Sequence, residues 1–123
     1  MTILEAINRV DTTKPNSYTQ NEKVGWLSTL DGIIKSEIID THEGGEDIVF
    51  KGYMADTSLD TVLLVPAPYD DIYIRWLEAR IDYTNGEYGK YNNSLTAYND
   101  AYDLYAAHYN RKHMPKGKKF KFF

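Results

Sequence analysis

The stretch from Tyr88 to Tyr109 constrains the fold of this chain most, because its large apolar side chains recur at alternating steps of three and four residues. That alternation places all of them on one face of an α-helix. Asn99 and Asp103 fall on the other faces, so the pattern predicts an amphipathic helix over Leu95 to Tyr109. The members of this tyrosine stripe are Tyr88, Tyr91, Leu95, Tyr98, Tyr102, Tyr105 and Tyr109.

The stripe is unusual in being made of tyrosine, not leucine. A buried tyrosine contributes a large apolar ring, but its hydroxyl needs a hydrogen-bond partner. Tyrosine is also enriched at interfaces between proteins. Two interpretations follow: an ordinary core face with its hydroxyls at the wet edge, or a helix that also lines a contact with another subunit.

Two capping boxes mark the start of helices nearer the N-terminus. Thr2 and Glu5 have the spacing of the first box, which predicts a short helix ending near Asp11. Thr19 and Glu22 form the second, and the apolar residues after it recur at three-and-four spacing up to Ile38. We expect a long helix from Gln20 to Thr41.

A third helix is predicted after the proline-rich break at residues 66–68. It begins at Asp70, where acidic residues suit a helix N-terminus, and runs to about Tyr83. Asn85-Gly86 is a strong turn dipeptide. We therefore expect a break between Asn85 and Asn93, with the third and fourth helices packed antiparallel.

Only two stretches resemble strands, Asp47 to Tyr53 and Thr61 to Val65. They predict a β-hairpin at about residues 47–65. Because a lone hairpin is marginal in water, it must pack on the helices or be completed by a neighbouring subunit. The residues that could make such an inter-subunit contact are Phe50, Tyr53, Met54 and Leu59.

The predicted fold is therefore mainly α, a small bundle of three to four helices with one inserted β-hairpin. At 123 residues the chain fits a single domain, which we place at residues 1–115, followed by a basic and aromatic C-terminal tail at residues 116–123. No apolar run has the length of a membrane span, and the N-terminus lacks a secretion signal. With no cysteine present, these features suit a reducing cytoplasm.

No catalytic, cofactor or metal site is predicted. Neither glycine fingerprint for phosphate binding is present, and no serine has a neighbouring histidine as base. His108 and His113 are five residues apart, which is the wrong spacing for a helical metal site. His42 and Glu43 belong to a loose acidic loop, which we interpret as solvated. We expect a protein that is not an enzyme.

The charge of the chain is distributed unevenly. All 18 acidic residues precede Arg111, whereas six of the 14 Lys and Arg residues lie from Arg111 onward. An acidic body with a basic end suggests a tail that meets something negative. The tail residues that would contact a partner are Lys116, Lys118, Lys119, Phe120, Lys121, Phe122 and Phe123.

The interleaved Lys and Phe of the tail admit several interpretations. Lysines could neutralise phosphates while phenylalanines stack on bases, although an acidic body would repel DNA. Membrane-surface binding is a weaker option, because the helices upstream have no matching basic face. The tail could instead anchor in an apolar cleft with an acidic rim on a partner protein. A disordered terminus is the plain alternative.

Several segments together resemble a family of small prophage proteins. They are residues 65–73, 76–79, 81–88 and 91–94, together with 109–111 and 113–115. With these segments the chain is similar to head–tail connector (adaptor, or head-completion) proteins of long-tailed phages of Gram-positive bacteria. The likeness spans most of the chain, and its motifs indicate kinship more than chemistry.

The resemblance implies a structural subunit of the neck, found in the virion and in the host cytoplasm during assembly. Such proteins form a homo-oligomeric ring beneath the portal protein, extend its DNA channel and contact the next neck or tail protein. Their C-terminal segment often docks into the portal ring, a role that would fall here on Lys116 to Phe123. No cofactor, membrane or sequence-specific nucleic acid is implied. The alternative function is a nucleic-acid-binding accessory module that uses the tail.

Overall fold

The computed structural model describes residues 1–116 and shows a mainly α-helical protein in which four helices pack together. The predicted fold class is confirmed at this level. The helices are α1 (Ile3–Thr13), α2 (Gln20–Ile34), α3 (Asp71–Thr84) and α4 (Tyr88–Lys112). None of them is long and apolar enough to cross a bilayer, as far as residues 1–116 are concerned.

Both predicted capping boxes form at the helix starts. The amide of Glu5 donates to Thr2 Oγ1 (3.1 Å), and the amide of Thr2 donates to Glu5 Oε1 (2.8 Å). Thr19 and Glu22 repeat the arrangement at α2. Each box satisfies amide donors that the first turn of a helix leaves unpaired. Helix α1 then continues to Thr13, two residues beyond the predicted end.

Helix α2 is followed without a break by a π-helical turn. Its α-helical part stops at Ile34, and a π-helical turn (Lys35–Ile39) carries it towards the predicted end at Thr41. Gly45 then passes close to this turn, where a Cβ atom would lie 2.3 Å from the carbonyl oxygen of Ile39. Only glycine fits there, which explains why the chain can fold back directly after α2.

Helices α3 and α4 form the antiparallel pair that the sequence predicts. The break lies at Asn85–Glu87, where Gly86 adopts a φ of +77°. Contacts then run in opposite directions along the two helices: Ser94 donates to Asp82 (2.5 Å), and further along the Trp76 and Tyr98 ring centroids lie 5.0 Å apart. Helix α4 begins at Tyr88, so it is longer than the predicted Leu95–Tyr109.

The predicted β-hairpin is wrong. No β-strand occurs in residues 1–116, and the two strand-like stretches do not pair with each other. The amides of Ile3 and Leu4 donate to the carbonyls of Thr61 (3.0 Å) and Leu59 (3.1 Å), while the amide of Leu63 donates to Met1 (3.0 Å). Residues 59–63 thus satisfy the open donors of α1 and have no need of a partner strand.

The core lies where all four helices meet the segment between α2 and α3. Its members are buried aliphatic residues from α1, α2 and α3, together with Leu63 and Val65 of that segment. Helix α4 contributes Tyr98, Tyr105 and Tyr109 to the same core. The described part of the chain therefore uses tyrosine where many helical bundles use leucine.

Candidate functional site

Asp31 of α2 is the most completely buried carboxylate and is fully enclosed. Its Oδ1 accepts a hydrogen bond from the hydroxyl of Tyr73 (2.6 Å), and its Oδ2 accepts from the hydroxyl of Tyr53 (2.5 Å) and the amide of Leu64 (3.1 Å). The Tyr73 hydroxyl in turn accepts from the amide of Val65 (2.7 Å). We call Asp31, Tyr53 and Tyr73 with these two amides the Asp31 cluster.

The Asp31 cluster shifts the protonation equilibria of its members. Burial raises the pKa of Asp31 above its ordinary value, although the three hydrogen bonds that it accepts act in the opposite direction. Burial and the nearby carboxylate raise the pKa of both tyrosine hydroxyls, so these remain protonated donors. Because every polar atom here has a partner, the cluster is built to hold the segment between α2 and α3 against the helices.

The four residues predicted to make an inter-subunit hairpin contact do not act as a group. Tyr53 belongs to the Asp31 cluster, and Leu59 packs partly buried against the core. The Phe50 ring lies edge-on to Tyr53, with centroids 5.1 Å apart, and next to Gly32. Only Met54 is largely exposed, at 66%. Three of the four therefore make contacts within their own chain.

The predicted tail contact falls largely beyond the described residues. Lys116 is exposed at the end of the described chain, and its ammonium lies 3.7 Å from Glu46 Oε1. The remaining tail residues lie outside the described part, namely Lys118, Lys119, Phe120, Lys121, Phe122 and Phe123.

The tyrosine stripe divides into two parts. Tyr98, Tyr105 and Tyr109 are buried, and burial raises the pKa of both Tyr98 and Tyr105 to about 12. At the other end of α4, Tyr88 is 60% exposed and Tyr91 is partly exposed. The core interpretation of the stripe thus holds for its C-terminal part and fails for its N-terminal part.

An arginine lies among partly exposed rings near the turn between α3 and α4. The guanidinium carbon of Arg80 is 5.4 Å from the ring centroid of Tyr83 and 5.9 Å from those of Trp26 and Trp76. Tyr83 is 47% exposed and contacts the rings of Tyr88 and Tyr91 at 5.9 and 5.1 Å. We call this group the aromatic surface; its members are Trp26, Trp76, Arg80, Tyr83, Tyr88 and Tyr91.

Two hydrogen bonds fix the surroundings of the aromatic surface. The indole of Trp76 donates to the carbonyl of Trp26 (2.7 Å), which ties α3 to α2. Next to Trp26, the hydroxyl of Tyr18 donates to Asn85 Oδ1 (2.5 Å) and so fixes the turn that precedes α4. Trp, Tyr and Arg are the residue types that dominate binding energy at protein interfaces. Rings fixed in this way lose little conformational entropy on binding.

Arg80 and Tyr83 were not identified as candidate site residues from the sequence. The signal was present, since Trp76, Arg80 and Tyr83 follow one another at steps of four and three on one helix face. What periodicity does not show is that α2 presents Trp26 to the same arginine.

A cleft between α1 and α3 and the possibility of a metal site were also considered as candidate sites. An open cleft of about 450 Å³ lies between α1 and α3, but its Arg75 is already paired with Asp71 (2.9 Å) and Glu78 (3.1 Å). Among residues 1–116, no three His, Asp or Glu side chains lie close enough together to hold a metal ion.

Comparisons of the chain with known protein families, with curated proteins and with solved structures gave no match.

Proposed function

We propose that this protein is a structural subunit of the head–tail connector of a long-tailed phage. In this role it joins the portal to the tail as part of a homo-oligomeric ring that extends the DNA channel. The observation that carries the proposal is the aromatic surface, which combines preorganised Trp, Tyr and Arg side chains at one end of the helical bundle. The sequence resemblance supplies the biological setting.

The chemistry of this surface favours a protein partner. Its rings remain partly exposed although they are large, and Arg80 keeps a cation among them. Burying such residues against a neighbouring subunit would stabilise the contact by about 25 cal/mol for each Å² of apolar surface removed from water. Within the proposed ring, we assign the aromatic surface to the contact between adjacent neck subunits.

The basic tail supplies a second contact in this proposal. All acidic residues lie before Arg111, so the acidic body and the basic tail can contact different partners. The tail, Lys116 to Phe123, would dock on the portal, with lysines at an acidic rim and phenylalanines in an apolar cleft. An acidic body facing the channel would not grip DNA and would let it slide.

The direct test is assembly with the portal protein of the same phage. Native mass spectrometry and electron microscopy of the mixture should show a ring of this protein on the portal, and a chain that ends at Lys116 should bind the portal at least tenfold more weakly. A full-length protein that stays monomeric and does not bind portal would contradict the proposal. Portal and major capsid genes upstream of this gene would add independent support.

The second candidate is a nucleic-acid-binding accessory module. It is favoured by the last turn of α4, where exposed Arg111 and Lys112 extend the basic character of the tail into the described structure. Fluorescence anisotropy with labelled DNA at low salt tests it: the full chain should bind with a steep salt dependence, and the chain ending at Lys116 should not. Absence of binding by the full chain at low salt would exclude this candidate.

A further inference from the structure

The end of the described chain is hydrogen-bonded to the loop that follows α2. The amide of Glu43 donates to the carbonyl of Met114 (2.8 Å), and the amide of Lys116 donates to the carbonyl of Thr41 (2.9 Å). His42 and Pro115 form an antiparallel bridge between these two hydrogen bonds. The Lys116 ammonium then reaches Glu46 Oε1 at 3.7 Å. The first residue of the tail thus lies on this loop.

The same loop carries an exposed surface of mixed character, which we call the 43–49 surface. Its carboxylates are Glu43, Glu46 and Asp47, all exposed. Directly after them come Ile48, which is 37% exposed, and Val49, which is 72% exposed. Two exposed β-branched apolar residues beside three carboxylates offer both apolar contact and negative charge to a segment that carries rings and cations.

The seven residues that follow Lys116 are complementary to that surface. They contain three lysines and three phenylalanines and no acidic residue. From Lys116, seven residues reach at most about 24 Å, which is ample for a loop that Lys116 already touches. They cannot reach Tyr88, at the far end of α4, because the 25 residues of this helix span about 37 Å.

We propose that residues 118–123 of the C-terminal tail dock within their own chain on the 43–49 surface. Its lysines pair with Glu43, Glu46 and Asp47, and its phenylalanines cover Ile48 and Val49. The free subunit then keeps its tail occupied, and a partner must displace it. This last consequence rests on the proposed function, whereas the docking itself can be tested on the free protein.

The natural chain contains no cysteine, so disulfide trapping gives a clean test. The double variant Val49→Cys, Phe120→Cys would be oxidised at low micromolar concentration and analysed by non-reducing electrophoresis and peptide mass spectrometry. We expect an intramolecular disulfide at a yield several-fold above that of the control Tyr88→Cys, Phe120→Cys. In the control, the exposed Cys at position 88 lies beyond the reach of the tail.

Three results would overturn the docking. They are a yield no higher than the control, a disulfide-linked dimer in place of the intramolecular product, or trapping that persists only at high protein concentration. Each of these outcomes is obtained without portal or DNA. A failed docking test is therefore distinguishable from a failed assembly test.

Two charge-reversed variants show whether the tail needs specific carboxylates or only a negative net charge. Adding Glu46→Lys and Asp47→Lys to the trapping variant should lower the disulfide yield several-fold at low salt. Adding Asp56→Lys and Asp60→Lys, which changes the net charge equally at exposed positions of another loop, should leave the yield near its original value. Equal yields in the two backgrounds would contradict the role of Glu46 and Asp47. Circular dichroism confirms that the helices are retained in both.

Discussion

The Asp31 cluster and the aromatic surface both link α2 to α3 through aromatic side chains, yet they have opposite relations to water. In the Asp31 cluster, Tyr73 is fully buried and its hydroxyl is engaged by a carboxylate and an amide. In the aromatic surface, Tyr83 is 47% exposed and its ring faces a cation. The environment of the hydroxyl and the ring, and not the residue type, separates a structural tyrosine from one available to a partner.

The two regions should therefore respond differently to mutation. Removing a member of the Asp31 cluster leaves buried polar atoms without partners, so the folded state should lose stability. Removing a member of the aromatic surface deletes exposed area and a weak cation–π contact, so the fold should persist while binding is lost.

The largest effect is expected for Asp31→Ala. This change leaves the Leu64 amide and the two tyrosine hydroxyls without their acceptor, and we expect a loss of about 3 kcal/mol in the free energy of unfolding. Urea denaturation followed by circular dichroism measures it. The exposed Asp60→Ala serves as control, with a change below about 0.5 kcal/mol. A loss under about 1 kcal/mol for Asp31→Ala would show that the cluster does not hold the fold.

Tyr73→Phe should come next, with a loss of about 2 kcal/mol, because it removes both the donor to Asp31 and the acceptor for the Val65 amide. Tyr53→Phe should cost about 1 kcal/mol, since Tyr53 is only partly buried and water can replace its hydroxyl. The same denaturation experiment ranks the two variants. The reverse order would mean that Tyr53, not Tyr73, is the main link to the segment between α2 and α3.

Stability should also depend on the protonation of Asp31. Its pKa is raised in the folded state, so the folded protein binds this proton more tightly than the unfolded chain. The Asp31 contribution to stability is then greatest below the unfolded pKa of about 3.9 and falls as pH rises through the raised folded pKa. We expect wild-type stability relative to Asp31→Asn to decline over that range. A difference that grows with pH would contradict the raised pKa.

The smallest effect on stability is expected for Arg80→Ala. The guanidinium contacts three rings at a partly exposed site, so its loss should cost about 1 kcal/mol or less. Thermal unfolding measures this change. A loss of unfolding free energy as large as that of Asp31→Ala would show that Arg80 is needed to hold the fold.

The sequence predicted best those elements whose structure is decided locally. The capping boxes at Thr2 and Thr19 and the turn at Gly86 are set by side chains within a few residues, and each is found where the pattern placed it. Residues 47–65 show the opposite behaviour, because their β propensity is overridden by distant partners. The amide of Leu64 bonds to Asp31, and the amide of Tyr53 bonds to the hydroxyl of Ser28 (3.0 Å). No periodicity reveals such side-chain acceptors.

The candidate site follows the same rule. Periodicity puts Tyr88 and Tyr91 on the same helix face as the buried tyrosines, so their exposure was not predicted from the sequence. The contact of Trp26 with Arg80 was not predicted either, because it depends on how α2 crosses α3. Tertiary packing adds Trp26 to the aromatic surface, although its nearest fellow member, Trp76, lies 50 positions further along the chain.

We propose that the aromatic surface joins subunits while the fold is held elsewhere, and a paired assembly experiment tests this claim. The variant Arg80→Ala, Tyr88→Ala and the control Leu104→Ala would be mixed with portal and examined by native mass spectrometry. Tyr88 and Leu104 lie on the same helix with equal exposure, 60% and 59%. We expect the control to assemble like the natural protein and the double variant to remain folded but fail to form a ring. Unimpaired assembly of the double variant would contradict the claim.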